Sequence, residues 1–347
     1  MTTTSNAAEP SMAPMLDEDF QTGLTKLQRT RNTLHRYPVI SPALVLITAV
    51  VVFGLVNDRF YNPQNLSLIA QQVAVVGTLA VGQTLIILTA GIDLSVGAVM
   101  VMSALVTGQT AVNHGVHPVI ALALGFLVGM GAGLLNGIFV TRLKLPPFIV
   151  TLGTLNIFLA LSLLYSGGST VRGMEMPSLL TWTGTGISLG SFRITTGVLV
   201  MILIYIVLAY ALAKTAWGRH VYAVGDDLDA ARLSGISVNR VLLSVYVVAG
   251  FVMALAAWIQ IGRTNAASPN VAGDLNLDSI TAVVIGGTSL FGGRGMIWGT
   301  LLGALIVGVF RNGLALAGFD ALYQTLAVGV LIIVAVALDR WIRKGRK

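Results

Sequence analysis

The sequence predicts an all-α membrane protein with about ten transmembrane helices. Only 10% of the 347 residues are charged and 55% are apolar, whereas soluble domains carry about 25% charged residues. The mean hydropathy is +0.84. The chain has no cysteine and only four histidines, which excludes disulfides, Cys-ligated metal centres and thiol nucleophiles. The composition therefore indicates membrane-spanning helices rather than a soluble enzyme or a redox protein.

Ten apolar segments approach the length of a spanning helix, which needs about 20 residues at a rise of about 1.5 Å per residue. We place them near residues 39–57, 67–90, 94–112, 118–140, 147–166, 195–214, 240–262, 279–292, 296–317 and 321–339. The eighth segment is short and rich in glycine. It is therefore predicted as a half-span or a broken helix that lines a cavity.

The distribution of positive charges predicts that both termini are cytoplasmic. Short cytoplasmic loops hold the excess of Lys and Arg, and with the N-terminus inside, sixteen of the 21 basic residues fall on the cytoplasmic side. Residues 1–36 are predicted as a disordered tail whose basic end rests on anionic membrane lipid. Residues 37–340 form the transmembrane domain, and residues 341–347 form a second basic cytoplasmic tail.

The fourth and ninth spans share a pattern that indicates an internal duplication, namely a GxxxG pair followed by Asn-Gly. These residues are Gly125, Gly129 and Asn136-Gly137 in the fourth span, and Gly299, Gly303 and Asn312-Gly313 in the ninth. Because the two spans run in opposite directions, spans 2–5 and 7–10 are predicted to form inverted repeats with the pathway between them. GxxxG pairs are also common in apolar helices, where small residues let backbones approach closely.

The cytoplasmic loop of residues 215–240 is the most polar stretch between spans and is predicted to hold a short helix. Asp227 is its N-cap and Asp229 an acid in its first turn. Arg232 is a base in its last turn and Gly235 its C′ residue. Such a short helix is marginal in water, so it must pack on something. The residues Ala230, Ala231 and Leu233 give it an apolar surface for a partner protein. The alternative is a connector helix that lies on the chain's own spans.

Membrane-embedded polar side chains are candidates for a translocation pathway. Asp93 lies between the second and third spans, where a carboxylate must be paired or hydrated. It either caps the third helix, with help from Ser95, or borders an aqueous pathway. Amides and hydroxyls suit a neutral, hydroxyl-rich solute, although each one alone can simply join two helices. The candidate pathway residues are Gln83, Asp93, Asn136, Asn156 and Asn312.

Charged groups inside the spans are otherwise few. Arg311 lies near the outer end of the ninth span, where it is expected to extend its side chain to the membrane surface. We find no paired buried acids and no buried histidine cluster in the pattern. This argues against a proton-coupled pump.

Nucleotide-binding and catalytic motifs are missing from the sequence. A P-loop requires Gly-Lys followed by Ser or Thr, and none of the five lysines follows a glycine. The chain also has no HExxH and no GxSxG motif. We therefore expect no enzyme, no metal site and no cofactor on this chain, and any ATP and Mg must bind to another chain.

Four separated segments carry a resemblance to a known family. They are GQTLIILTAGIDLSVGAVM (82–100), LPPFIVTLGTLNI (145–157), GRHVYAVGDDLDAARLSGISV (218–238) and AVVIGGTSLFGGRGMIWGTLLGALIVGVFRNGL (282–314). In this order and spacing they resemble the membrane permease subunits of ABC monosaccharide importers of the ribose, xylose and fructose type. The resemblance covers about residues 40–340. Branched-chain amino-acid permeases of the same superfamily are less similar in the GIDLSVG stretch.

The resemblance implies a set of partners and a role for the loop. It implies a homodimer of ten-helix permeases in the bacterial inner membrane, a cytoplasmic ATPase, a periplasmic sugar-binding protein and a monosaccharide substrate, with no nucleic acid. Residues 226–236 look like the coupling helix that docks on the ATPase. The family usually has Gly-Asn where this chain has Asp226-Asp227, so the charge that faces the ATPase is altered. An ATP-independent secondary transporter or channel, or an importer of another small polar solute, is the alternative.

Overall fold

The structure is a bundle of α-helices with two small two-stranded sheets. The computed structural model describes residues 39–343 except residue 272; the predicted tail of residues 1–36 and residues 344–347 of the second tail lie outside that part. The helices of the described part are α1 Ile40–Val56, α2 Pro63–Leu88, α3 Val96–Val112, α4 Pro118–Thr141, α5 Pro147–Ser166, α6 Ser178–Thr181, α7 Thr196–Lys214, α8 Ala216–Asp226, α9 Leu228–Leu233, α10 Val238–Thr264, α11 Leu275–Ile285, α12 Ile297–Leu316 and α13 Ala321–Arg343. The strands are β1 Val171–Arg172, β2 Gly186–Leu189, β3 Phe192–Thr195 and β4 Ala266–Ala267.

Six helices are long and apolar enough to cross a membrane, namely α2, α4, α5, α7, α10 and α12. Helices α1 and α3 are shorter apolar helices, as is the first part of α13. Helix α11 has 11 residues, about 16 Å, and begins and ends earlier than predicted. It ends early because Gly287, with φ +88°, turns the chain away. The prediction of an all-α membrane protein is confirmed.

Local sequence explains where several helices begin and end. Helices α2, α4 and α5 each have proline at their first position, where the missing N–H costs nothing and the fixed φ favours the helix. The side chain of Asn62 accepts a hydrogen bond from the backbone N–H of Gln64 and so caps α2. Helix α5 ends at Gly167, whose φ of +57° is left-handed.

The bundle has two distinct ends. At one end β2 pairs with β3 in the antiparallel register Ile187↔Ile194, and β1 pairs with β4 in the register Val171↔Ala267. We call this the hairpin end. Helix α7 runs from there to α8 and α9, so residues 215–237 lie at the opposite end, which we call the loop end.

Helices α2 and α10 form the centre of the bundle. Of the apolar window of α2, 89% is buried, and 61% of that of α10. Helix α4 packs on α10 through glycines: a Cβ on Gly133 would strike the carbonyl oxygen of Tyr246, and a Cβ on Gly250 would strike that of Gly129. The two backbones therefore touch, as small residues permit.

The second GxxxG pair makes a similar contact. A Cβ on Gly299 would strike the carbonyl oxygen of Gly286, and a Cβ on Gly303 would strike that of Ala282. Helix α12 thus packs directly on α11, while Gly125 of α4 packs on Thr107 of α3. Both predicted GxxxG pairs serve helix packing within the chain.

The N-termini of α3 and α11 touch each other. Asn276 Oδ1, in the first turn of α11, accepts a hydrogen bond of 2.5 Å from the backbone N–H of Gly97 in α3. Each helix follows a short polar loop, Asp93-Leu94-Ser95 before α3 and Asp274 before α11. The chain therefore brings two interrupted segments together inside the bundle.

Candidate functional site

Helix α9 at the loop end is a capped, exposed helix. Asp227 Oδ1 accepts hydrogen bonds from the backbone N–H groups of Asp229 and Ala230, both at 2.9 Å. Gly235 has φ +81°, the conformation of a C′ residue. Arg232 Nη1 lies 3.3 Å from Asp229 Oδ1 in an exposed ion pair, which contributes at most about 1 kcal/mol. The local sequence thus determines both helix ends.

The two faces of α9 are not the ones that the sequence suggested. Ala231 is 3% exposed and lies against the rest of the chain, so it is not part of an outward apolar surface. Its carbonyl oxygen accepts a 3.1 Å hydrogen bond from the backbone N–H of Ile236, which folds the C-terminal turn back. Leu233 is 91% exposed. A partner would contact Leu233 and Ala230 and not Ala231.

Helix α8 connects α9 to the long helices of the bundle. Trp217 Nε1 donates a 2.8 Å hydrogen bond to Ser244 Oγ of α10, and the Tyr222 hydroxyl donates a 3.0 Å bond to the Gly295 carbonyl oxygen before α12. Burial raises the pKa of Tyr222, so its hydroxyl keeps its proton at neutral pH. A Cβ on Gly225 would strike the carbonyl oxygen of Leu88 at the end of α2. Helix α8 is therefore in direct contact with α2, α10 and the residue before α12.

The loop between α11 and α12 adds a residue that sequence reasoning missed. The backbone N–H of Gly293 donates a 3.0 Å bond to the Leu88 carbonyl oxygen, and Gly293 packs against Asp226. Phe291 in this loop is 80% exposed. An aromatic residue in a polar loop could have drawn attention to it. We call Ala230, Leu233 and Phe291 the docking surface.

Asp93 is buried and satisfied by its neighbours. Its Oδ1 accepts hydrogen bonds of 2.6 Å from both the backbone N–H and the hydroxyl of Ser95. Asn136 Nδ2 donates a hydrogen bond of 2.9 Å to Ser95 Oγ, and the backbone N–H of Leu94 donates one to Thr151 Oγ1. The N-cap residue of α3 is Ser95, so Asp93 stabilises the turn before the helix instead of capping the helix itself.

The five predicted pathway residues do not lie together. Asp93 and Asn136 lie close to Ser95 at the loop end. Gln83 is fully buried, and its side-chain oxygen and nitrogen have no partner among the described residues. Asn312 exchanges two hydrogen bonds with Asn65 near the hairpin end. Asn156 lies exposed on the outer face of α5, where its Nδ2 bonds back to the Leu152 carbonyl oxygen.

Arg311 lies between two acids of the chain, a pairing that the sequence analysis did not foresee. Its Nη2 lies 2.7 Å from Asp278 Oδ1 and 3.1 Å from Asp274 Oδ2. The Thr325 hydroxyl donates a 2.9 Å bond to Asp274 Oδ2. The side chain of Asp278 is 4% exposed. The chain thus holds two neighbouring acids that share one cation, a cluster that the sequence pattern did not reveal because its members come from three separate helices and a loop.

Comparison with known proteins decides the family. The family described as branched-chain amino acid transport system / permease component matches residues 65–336, well over half of the chain. The chain belongs to this permease family. The resemblance drawn from four sequence segments is thereby confirmed, and the permease is a multi-pass protein of the inner membrane.

Several curated relatives are sugar import permeases. The permease is 49% identical to the fructose import permease of Rhizobium meliloti, over 92% of this chain and 90% of the relative. It is 42% identical to the ribose import permease of Bacillus subtilis strain 168, over 87% and 92% of the two chains. It is 37% identical to the ribose import permease of Escherichia coli strain K12, over 85% and 92%.

A solved structure shares the fold of the permease. It is described as an inward-facing conformation of a putative metal-chelate type ABC transporter, and it matches with a TM-score of 0.51 at 19% identity. The match covers 87% of this chain and 99% of that chain. At this identity the likeness concerns the fold alone.

Proposed function

We propose that the permease is the membrane-spanning subunit of an ABC importer that moves a monosaccharide inward across the bacterial inner membrane. The observation that carries the proposal is the docking surface, because the preceding helix α8 contacts α2, α10 and the residue before α12. The relatives named above, which import fructose and ribose, support a sugar as the cargo. Neutral amides inside the bundle suit such a solute.

A separate cytoplasmic ATPase supplies the energy in this proposal, and it alone binds ATP and Mg. Leu233 and Phe291 present large apolar side chains at the loop end; these suit a hydrophobic cleft on a partner, since apolar anchors carry most of the energy of an interface. Closure of the ATPase pair pushes α8 and α9, and the backbone contacts of Gly225 pass the motion to the membrane helices.

The finer topology belongs to the same proposal, with ten spans, cytoplasmic termini and inverted repeats of spans 2–5 and 7–10. The two central helices, α2 and α10, are counterparts in these repeats. The sequence Asp93-Leu94-Ser95 before α3 has its counterpart in Asp274-Leu275-Asn276 at α11. These observations support a pseudo-twofold relation with the pathway between interrupted segments.

Two copies of the permease form a homodimer in this proposal, with a periplasmic binding protein at the hairpin end. Asn156 supports the dimer because it is an exposed amide on an apolar membrane helix, and a polar group that faces lipid is costly. A second copy would cover it and offer it a polar partner.

Two alternatives remain to be separated from the sugar importer. The description of the family names branched-chain amino acids, which makes an amino acid the second candidate cargo. An ATP-independent secondary transporter is the other alternative. The cluster of Asp274, Asp278 and Arg311 offers it little support, because the shared cation holds both acids in ion pairs.

The test is uptake into proteoliposomes that contain the permease with its own ATPase and binding protein. We expect uptake of labelled fructose or ribose that requires ATP and stops when the ATPase is left out. Uptake by the permease alone would overturn the proposal in favour of a secondary transporter. ATP-driven uptake of leucine without uptake of either sugar would replace the sugar by an amino acid.

A further inference from the structure

A cavity of about 350 Å³ lies between α2, α10, α11, α12 and α13 within one protomer. This size falls in the range of small-molecule sites, which combine an apolar lining with a few convergent polar groups. The charged and amide side chains of its lining are Gln72, Gln260, Arg263, Asp278, Arg311, Asn312 and Gln324. The cavity thus collects polar groups of five helices in the half of the bundle near the hairpin end.

Several of these groups have hydrogen-bonding capacity to spare within the described part of the chain. Arg311 uses Nη2 for both of its acids, which leaves Nη1 for another partner. Gln260 Oε1 accepts a 3.3 Å bond from Arg263 Nε, while its Nε2 donates to no described residue. The carboxamide of Gln72 likewise bonds to no described residue. The Nε of Arg311 is also buried without a partner among the described residues, so a polar occupant can bond to several groups at this place.

The charges around the cavity favour a neutral occupant. Two cations, Arg263 and Arg311, and one carboxylate, Asp278, line the cavity. With Asp274, which pairs with Arg311 just outside the lining, the positive and negative charges balance, so no net charge calls for an ionic occupant. Val76 and Val307 supply apolar wall that can lie against C–H groups. A polyhydroxylated ring fits this lining. Its hydroxyls can bond to the amides and the guanidinium, and its C–H groups can lie against the short apolar wall.

We infer that this cavity is a monosaccharide-binding site inside each protomer, distinct from any passage between two copies. The inference rests on the proposed function and deepens it. The amides of Gln72 and Gln260 and the free Nη1 of Arg311 bind the sugar hydroxyls. The interrupted helix α11 brings Asp278 to the same place, because its first turn begins inside the bundle beside α3.

The experiment uses the absence of cysteine from the natural chain. An Ala315→Cys variant places one thiol on the cavity wall, and its reaction with a maleimide is timed in the purified full-length permease in nanodiscs. We expect fructose and ribose at millimolar concentration to slow labelling several-fold, and leucine or inorganic phosphate to leave it unchanged. Ser188→Cys, on the exposed hairpin, is the control that no solute protects.

Two further variants connect the protection to the named residues. In the Ala315→Cys background, Gln72→Leu removes an amide from the cavity wall, and we expect it to abolish protection by sugar. Gln71→Leu is the matched control, since this neighbouring glutamine does not line the cavity, and protection should persist. Equal protection in both variants would overturn the assignment of Gln72.

The outcomes separate this inference from the proposed function. Sugar uptake by the complete importer without sugar protection at Ala315→Cys would overturn the cavity site and leave the importer intact. Protection by leucine or phosphate in place of sugar would overturn the choice of ligand. Protection by sugar with no sugar uptake would support the cavity and contradict the import function.

Discussion

Two buried carboxylates in the permease are stabilised in different ways. Asp93 relies on one neighbour, Ser95, which supplies a backbone N–H and a hydroxyl. Asp278 relies on the guanidinium of Arg311 at 2.7 Å, a charge-assisted hydrogen bond that is stronger than a neutral one. The first arrangement is local in sequence, whereas the second joins residues 33 positions apart. Loss of Arg311 would leave the second carboxylate buried without a counter-charge.

The first prediction concerns Arg311. Replacing Arg311 by Met leaves Asp278 buried without its cation, which we expect to cost about 3–5 kcal/mol and to lower the apparent Tm in detergent clearly. Arg232→Met is the matched control, because its partner Asp229 is exposed and such pairs contribute at most about 1 kcal/mol. The additional change Asp278→Leu should recover most of the loss. Equal Tm values for the Arg311 and Arg232 variants would contradict the account.

The second prediction concerns Leu233. Because this side chain is 91% exposed, Leu233→Ser should change the free energy of unfolding by no more than about 0.5 kcal/mol, so the Tm should stay close to that of the unsubstituted chain. The same variant should reduce ATP-driven sugar uptake at least tenfold, because it removes an apolar anchor of the docking surface. Leu143→Ser, at a 60% exposed leucine outside that surface, serves as the control. Loss of uptake in the control alone would refute the docking surface.

Among the elements, α4 and α10 show how glycine decides helix packing. Gly133 faces the carbonyl oxygen of Tyr246, whereas Gly131, two residues earlier in the same helix, has no heavy atom within 4 Å of its Cβ position. Helix propensity is the same at the two positions. Only the neighbouring helix distinguishes them.

The third prediction follows from this contrast. Gly133→Val forces α4 away from α10, and since a backbone atom cannot move aside, we expect a loss of at least about 1–3 kcal/mol and little monodisperse protein after purification. Gly131→Val should be recovered in normal yield. The readout is the size-exclusion profile with the apparent Tm. Normal folding of the Gly133 variant would show that the α4–α10 contact is looser than the structure indicates.

A helix end could be predicted from the sequence only where residues next to it in the chain determine it. The ends of α9 were predicted from Asp227 and Gly235, because capping residues lie beside the groups that they satisfy. The start of α2 was placed at residue 67, four residues late, although Asn62 and Pro63 mark it locally. The start of α11 was misplaced because it depends on Asn276 reaching Gly97 of another helix. Similarly, nothing within α9 itself determines that Ala231 faces inward.

For the whole molecule, the proposed homodimer requires one of the exposed apolar faces to meet a second copy. Helices α5 and α7 both expose rows of large apolar side chains, and either could face lipid. Asn156 distinguishes α5, because an exposed amide within a span calls for a polar neighbour. We therefore expect the dimer contact on α5.

The fourth prediction tests this contact with single cysteines in the naturally cysteine-free chain. Asn156→Cys in native membranes should cross-link to a dimer with a short bifunctional reagent. Leu203→Cys, on the 60% exposed face of α7, should remain monomeric under the same treatment. The measurement is a non-reducing gel. Cross-linking at residue 203 and not at 156 would move the dimer contact to α7.

By itself, the sequence determined the class of the molecule and much of its local structure. Composition and hydropathy required membrane helices, and Asp227 and Gly235 placed the ends of α9, because capping acts within one turn of the chain. Four separated segments within residues 82–314 also sufficed to indicate the permease family, which the comparisons confirmed.

Only the tertiary structure decided which polar groups meet. It paired Arg311 with Asp274 and Asp278, separated the five candidate pathway residues, turned Ala231 inward and gathered glutamines from α2 and α10 around one cavity. The physical reason is that a side chain on an apolar helix has no local signal for its direction, since lipid, a neighbouring helix and a second copy are all compatible with the same hydrophobic pattern. Packing between distant segments makes that choice.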